Sequence, residues 1–169
     1  MTGLAARISP CDRATRLRLA AAGDEPFLKQ LFRSVRGDDF AAAGLPAEAV
    51  DRLIEQQFRA QAMGYAAQFP DAVSLIVIHR DDPVGRLLLL AADQRWHIVD
   101  IALIPDVRGR GIGTDLIAAI ARAAFSAGAR ELSLSVLFSN ASARRLYARL
   151  GFAVTADGVH VAMTKPLGE

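Results

Sequence analysis

The segment IPDVRGRGIGTDLIAAI, residues 104–120, constrains the fold more than any other part of this chain. It follows the run RWHIVDIALI, whose two-residue alternation predicts a strand, and it ends in apolar residues four positions apart, which predict a helix. Three glycines and two arginines lie between the two patterns. Because a helix that directly follows a strand packs on a face of the sheet, the chain is expected to be a mixed α/β domain.

The remaining sequence supplies the other elements of such a domain. TRLRLA at 15–20 predicts a strand, and two helices follow, the first capped by Asp24 and the second opened by Pro46. Three strands then form a meander, and after the glycine segment and its helix come a strand, a helix and a closing hairpin. A length of 169 residues suits one domain. Residues 1–14 are interpreted as a loose lead-in.

Composition excludes several classes of partner. The formal net charge is +2 and basic residues form no block longer than a pair, so neither nucleic acid nor a membrane is expected as a partner. Cys11 is the one cysteine, which leaves no disulfide or cysteine metal cluster, and we expect no bound metal. The N-terminal residues have no signal-peptide pattern, and the predicted location is therefore cytoplasmic.

The glycine segment has the chemistry of a phosphate site. The first turn of a helix presents unpaired N–H groups and partial positive charge, and glycines allow an anion to approach them closely. Gly109, Gly111 and Gly113 are each able to take a positive φ, and Arg108 and Arg110 add charge. The segment lacks the lysine of a P-loop and the third glycine of the dinucleotide fingerprint. A pyrophosphate cradle is therefore predicted, with a simple strand-to-helix connection as the alternative.

Two motifs follow one another along the chain. The first is R-x-x-G-x-G, Arg108 to Gly113, between a strand and a helix; the second is LSVLFSNASARRLYARLGF, with an Asn, a helical Tyr and Gly-Phe. In this order the two motifs resemble the GNAT superfamily of N-acetyltransferases. The resemblance covers residues 95–155. It implies one GNAT-type domain over residues 1–169, with a mostly antiparallel mixed sheet of about seven strands flanked by about four helices. It also implies acetyl-CoA, or another short acyl-CoA, as co-substrate.

The resemblance also implies roles for individual residues. In the family, the strand before the loop pairs with the pantetheine arm, and the loop amides hold the pyrophosphate. Asn140 matches a residue that contacts the cofactor arm, although it is equally suited to cap its helix. Tyr147 matches the tyrosine that protonates the departing thiolate, the alternative being a core tyrosine. The implied cofactor-binding residues are Ile101, Ala102, Leu103, Arg108, Gly109, Arg110, Gly111, Ile112, Gly113, Thr114 and Asn140.

A base to deprotonate the acceptor amine is less clearly marked. Strict alternation places Trp96, Ile98 and Asp100 on one face of their strand and His97 on the other. Asp100 is a carboxylate in an apolar strand, and we predict it as the base. Its alternative role is an ion pair with Arg86 or Arg95. His97 and a water relay are the alternative bases.

The acceptor is the least determined part of the prediction. Tyr65, Gln57 and Gln61, on the second long helix, are candidates to line its groove. A small-molecule amine or a protein amine both fit, and a homodimer stays an open alternative. The predicted function is transfer of an acetyl group to a primary amine by direct attack. A non-catalytic acyl-CoA sensor is the alternative, and a nucleotide-phosphate-binding protein is a third.

Overall fold

The structure, a computed structural model, describes residues 2–168, without the side chains of residues 2 and 38. Short 3-10 turns at Ala22–Asp24 and Pro105–Val107 interrupt two of its connections. The helices and strands of the described residues are α1 Thr2–Arg7, β1 Thr15–Leu19, α2 Glu25–Ala41, α3 Ala47–Gln68, β2 Val73–His79, β3 Asp82–Ala91, β4 Arg95–Leu103, α4 Ile112–Ser126, β5 Glu131–Leu137, α5 Ala141–Arg149, β6 Ala153–Ala156 and β7 His160–Pro166.

Within residues 2–168 the strands form one seven-stranded sheet in the order β1-β2-β3-β4-β5-β7-β6. All neighbouring strands are antiparallel except β4 and β5, which are parallel. A parallel pair needs a crossover, and α4 supplies it. The predicted mixed, mostly antiparallel fold and its order of elements from 15 onward are therefore confirmed.

Helices cover both faces of the sheet. On one face, Leu87 and Leu89 of β3 belong to a buried core with Leu116 and Ile120 of α4. On the opposite face, Leu88 of β3 is buried, as are residues of α2, α3 and β2: Leu31, Phe32, Ile54, Ile76 and Ile78. Because each fully buried Leu or Ile contributes about 1.5–3 kcal/mol, the two cores hold the central strands rigidly between the helix layers.

The loose lead-in predicted for residues 1–14 is wrong for the residues that the structure describes. Thr2–Arg7 is a helix, and Ile8 is buried in the core shared with α4. The Asp115 carboxylate, in the first turn of α4, accepts hydrogen bonds from the N–H groups of Cys11 and Asp12, both 2.9 Å. Tertiary contacts, which no local sequence pattern indicates, therefore hold this segment in place.

Asp24 has a different role from the predicted helix cap. Its two carboxylate oxygens each lie 2.7 Å from a guanidinium nitrogen of Arg18. One oxygen also accepts the N–H of Ala21 at 2.8 Å. These bonds hold the pKa of Asp24 down at about 2, and the pair joins β1 to the start of α2.

Candidate active site

The sheet opens between its two parallel strands. β4 and β5 pair only from Arg95 with Glu131 to Ile98 with Leu134. Beyond that point, β4 pairs with β3 alone and β5 pairs with β7 alone. The β5-facing backbone edge of β4 from residue 99 to 103 therefore has no strand beside it within residues 2–168. This edge includes the segment predicted to pair with the pantetheine arm, Ile101, Ala102 and Leu103.

A β-bulge at Val99 sets which side chains reach the opening. Leu89 pairs with Ile98 and Leu88 with Asp100, so Val99 is the extra residue in β4. A bulge reverses the alternation of side chains after it. Ile98 and Ile101 therefore share the core face, while Asp100 lies on the opposite face together with His97. The predicted grouping of Asp100 with Trp96 and Ile98 is wrong for this reason.

Asp100 lies beside a buried arginine. The Arg86 Nη1 is 4.0 Å from the Asp100 Oδ2, and the two side chains are 14% and 26% exposed. Burial raises the pKa of Asp100 above its ordinary value, and the Arg86 charge opposes that rise. The alternative partner, Arg95, pairs with Glu131 instead. Asp100 is thus a carboxylate with a basicity increased by its surroundings, and it is not tied to Arg86 by a short hydrogen bond.

The ring of Tyr65 forms part of the wall next to Asp100. The Arg86 guanidinium carbon lies 5.7 Å from the centre of this ring. Burial and the Asp100 charge raise the pKa of Tyr65 to about 12, against the opposing charges of Arg86 and Arg36. The phenol is therefore neutral at physiological pH. Gln61 and Gln57 are half-buried one and two turns earlier on α3, about 6 and 12 Å along its axis from Tyr65.

Tyr147 reaches the same region from α5. Its ring packs edge-on against Phe152, with the centroids 5.9 Å apart, and it contacts the buried core. Burial raises the pKa of Tyr147, and the Asp100 charge raises it further. The charge of Asp100 thus acts on the Tyr147 phenol across the opening. A tyrosine that keeps its proton well above neutral pH is in the form that an acid requires.

His97 contacts residues of β5 and of the segment that follows α3. Its Nδ1 lies 2.9 Å from the Ser133 hydroxyl, and Phe69 stacks on its ring at 5.5 Å between centroids. Burial lowers the pKa of His97, and the Arg95 charge adds to this effect. His97 belongs to the part of β4 that is still paired with β5. The structure therefore favours Asp100 over His97 as the group at the opening.

The glycine segment forms the start of α4 next to the opening. Gly109 and Gly111 have φ of +72° and +82°, whereas Gly113 does not have a positive φ. A Cβ added at Gly113 would lie 3.6 Å from a side-chain methyl carbon of Leu103. The first helical hydrogen bond joins the Asp115 N–H to the Gly111 carbonyl. The N–H groups of residues 112–114 precede it and have no acceptor within the helix.

Arg108, Arg110 and Asn140, the predicted polar contacts of the cofactor, differ in their partners and in their exposure. The Arg108 Nε donates to the Leu103 carbonyl at 2.9 Å, which fastens the loop to the end of β4. Arg110 is exposed. Asn140 caps α5, since its Oδ1 accepts the Ala143 N–H at 3.2 Å. The cap uses only the side-chain oxygen, so the amide nitrogen of Asn140 is not needed for it.

Sequence reasoning treated Arg86 only as an ion-pair partner and did not consider Arg36. Arg36 extends from α2, lies 5.5 Å from the Phe32 ring, and affects the pKa of both Asp100 and Tyr65. Arg86 had a usable signal, because it interrupts the apolar run VGRLLLLA just as Asp100 interrupts its own strand. Arg36 had none, since a polar residue on a surface helix is ordinary.

A mixed sheet that splits between two parallel strands, with a glycine-rich helix start at the split, defines the GNAT class of folds. The chain belongs to the acetyltransferase (GNAT) family, whose sequence pattern matches residues 39–152.

Individual relatives agree with this assignment. The chain is 37% identical over 94 residues to the uncharacterized N-acetyltransferase YycN of Bacillus subtilis, covering 53% of this chain and 58% of that protein. It is 27% identical over 107 residues to the N-alpha-acetyltransferase MAK3 of Arabidopsis thaliana, covering 61% and 56%. The chain thus spans little more than half the length of either relative.

A solved structure confirms the fold. The PaiA N-acetyltransferase of Thermoplasma acidophilum, determined in complex with coenzyme A, superposes with a TM-score of 0.67 at 18% identity, over 90% of this chain and 98% of that one. Across residues 2–168, none of the helices is both long and apolar enough to cross a membrane. The same residues bring together no group of three or more His, Cys, Asp or Glu side chains suited to a metal ion.

Proposed function

We propose that the protein is an N-acetyltransferase that moves the acetyl group of acetyl-CoA to a primary amine by direct attack. The observation that carries this proposal is the opening between β4 and β5, where Asp100 follows the last paired residue of β4 and the amide-rich start of α4 comes next after the strand. Tyr147, on whose pKa the Asp100 charge acts, is proposed to complete the site. Family membership and the coenzyme A held by the PaiA protein support the choice of co-substrate.

The cofactor would be held mainly by the backbone. The backbone groups of residues 101–103 that face away from β3 would pair with the pantetheine arm, apart from the Leu103 carbonyl, which accepts from Arg108. The pyrophosphate would accept hydrogen bonds from the amides of residues 109–114, where positive φ at Gly109 and Gly111 turns the chain toward the anion. Arg110 would add charge, and the amide nitrogen of Asn140 would contact the arm.

Asp100 and Tyr147 would divide the proton transfers. Asp100, directly or through one water, takes a proton from the acceptor ammonium, and the freed amine attacks the thioester carbon. A tetrahedral intermediate forms as the new C–N bond is made, and its amine nitrogen loses a second proton to water. The intermediate collapses by breaking the C–S bond, and the Tyr147 phenol protonates the thiolate. Tyr147 then regains a proton from solvent, and Asp100 releases the proton it took to solvent, so that the net reaction frees one proton. The attack needs no covalent enzyme intermediate, and Cys11 is not used.

The alternative is an acyl-CoA sensor with the same fold. Titration with acetyl-CoA by calorimetry, followed by thiol release with a panel of primary amines, separates the two. We expect binding together with acceptor-dependent release. Binding without release for any amine would favour the sensor, and absence of binding would contradict both functions.

Tyr147→Phe tests the role of Tyr147 as the acid that protonates the thiolate. Because the variant removes only the hydroxyl, we expect turnover to fall about 100-fold or more while the acetyl-CoA affinity and the melting temperature stay near wild type. Single-turnover thiol release measures the chemical step directly. A wild-type rate in this variant would rule out Tyr147 as the acid.

A further inference from the structure

The region around Asp100 carries more positive than negative charge. Among the side chains that the structure describes, the positive charges of Arg86 and Arg36 both lower the pKa of Asp100 and that of Tyr65. Arg86 is almost buried, at 14% exposure. Among the described side chains, Asp100 is the one carboxylate whose charge raises the pKa of Tyr65. A buried charge is costly unless it is balanced, so one carboxylate leaves a positive excess at this site.

The hydrogen-bonding capacity of Arg86 is also not used up. A guanidinium has five N–H donors. The separation of 4.0 Å from the Arg86 Nη1 to the Asp100 Oδ2 is too long for a hydrogen bond. The Arg86 Nε is buried and has no acceptor among the described residues. Its guanidinium carbon lies 5.7 Å from the centre of the Tyr65 ring. Arg86 is thus held in place by packing, with donors left for another acceptor.

We propose that the acceptor amine bears a carboxylate next to its amino group, as a free α-amino acid does, and that Arg86 binds this carboxylate. The inference rests on the proposed function and adds a substrate class to it. Asp100 binds the amino group and takes its proton, and Arg86 binds the carboxylate.

The geometry suits such a molecule. In an α-amino acid, a single carbon separates the ammonium group from the carboxylate. Charge-assisted hydrogen bonds of about 2.7–2.9 Å from these groups to Asp100 and to Arg86 would bridge two protein groups that do not bond to each other. Opposite charges then alternate around the site. A polyamine would instead bring a second cation toward Arg86 and Arg36, which is unfavourable.

A different role for Arg86 predicts different behaviour. If Arg86 only adjusts the pKa of Asp100, its loss should slow every acceptor equally and move the pH profile. If it binds the carboxylate, its loss should change the ratio of rates between acceptors that carry a carboxylate and those that do not. The ratio of kcat/KM values is therefore the readout.

The experiment compares matched acceptors with acetyl-CoA. Phenylalanine, phenylalaninamide and phenethylamine form one set, and glutamine, glutaminamide and 4-aminobutanamide form another. For wild type we expect the acid of at least one set to exceed its amide and its amine by about 10- to 100-fold in kcat/KM. In Arg86→Met we expect this ratio to approach 1. An amide or amine that equals its acid in both wild-type sets would overturn the inference.

Arg144→Met is a matched control. Arg144 also has a buried Nε without an acceptor among the described residues, and its guanidinium rests 4.5 Å from the Phe138 ring centre. Its Nη1 donates to the Phe138 carbonyl at 3.1 Å, and Arg144 is not among the charges that affect the pKa of Asp100. We expect the ratio of acid to amide to stay at its wild-type value. An equal change in Arg144→Met and Arg86→Met would contradict a specific role of Arg86.

A binding measurement separates this inference from the proposed function. The wild-type protein saturated with CoA is titrated with N-acetylphenylalanine and with its amide. We expect the acid to bind at least 10-fold more tightly. Equal affinities overturn the inference, whether or not turnover is seen. Failure of every amine to release thiol, with the acid still preferred in binding, would instead refute the proposed activity and leave the carboxylate site supported.

Discussion

Replacing Gly111 by Ala tests the phosphate cradle with a control supplied by the same helix. Gly111 precedes α4 with φ +82°, and Gly128 follows it with φ +91°; an added Cβ meets no atom within 4 Å at either position. Both substitutions therefore impose the same kind of backbone strain without a steric clash. Only Gly111 lies in the segment predicted to contact the pyrophosphate.

The expected loss of stability follows from the backbone alone. A left-handed conformation at a non-glycine residue lowers the free energy of unfolding by about 1–2 kcal/mol. Alanine also reduces the conformational entropy of the unfolded chain, which raises the free energy of unfolding by about 0.4–1 kcal/mol. The net loss is about 1 kcal/mol in each variant. For a chain of this length this lowers the melting temperature by roughly 2–4 °C. Thermal unfolding of Gly111→Ala and Gly128→Ala should give similar shifts.

The two variants should differ in affinity for CoA. A Cβ at Gly111 would hinder the close approach of the pyrophosphate to the loop amides, and the loss of one charge-assisted hydrogen bond costs about 1.5–3 kcal/mol. We expect a Kd raised by about 10- to 150-fold in Gly111→Ala and an unchanged Kd in Gly128→Ala, both measured by calorimetry. Wild-type affinity in a folded Gly111→Ala protein would refute the amide cradle.

Two further predictions concern carboxylates. Asp100→Asn should lower turnover at neutral pH by about 100-fold or more and remove the decline of rate toward acid pH, since that decline reflects protonation of Asp100; an unaltered pH profile would reassign the base. Asp24 has a pKa lowered to about 2 by Arg18, so its stabilising effect is complete above its ordinary value of 3.8 and is lost as the pH falls toward about 2. After discounting for the half-exposed Arg18, Asp24→Asn should remove about 1–2 kcal/mol of this pH-dependent stability. Acid titration of the unfolding free energy measures it, and Asp81→Asn, at an exposed ion pair, should leave the curve unchanged.

The glycine segment and the order of elements could be predicted because their causes are local. Positive φ at Gly109 and Gly111 is a steric matter, and the apolar periods of the long helices and strands reflect their own burial. The bulge at Val99 could not be predicted, since a valine in an apolar strand gives no sign of it. It results from the pairing of β4 with β3, and a single extra residue moved Asp100 to the opposite face.

The N-terminal helix escaped prediction for a similar reason. Six residues are too few for a stable isolated helix, so α1 depends on Ile8 and on the hydrogen bonds that Asp115 accepts from the following segment. The prediction of the site was also incomplete where it depends on tertiary contacts. Asp100 and Tyr147 could be named from motifs, but the approach of Arg86 and Arg36 depends on how α2 and α3 pack across the sheet.

The open edge of β4 has a consequence for how the protein coexists with other chains. Unpaired strands at the margin of a sheet can recruit strands from other molecules and so lead to aggregation. Here the unpaired backbone lies inside the sheet, in a wedge that closes where Ile98 meets Leu134. A polypeptide strand needs about 4.8 Å on each side along its whole length, which a narrowing wedge does not provide. The protein therefore keeps a backbone edge available to a slender ligand while the same edge is protected from strand addition by its neighbours.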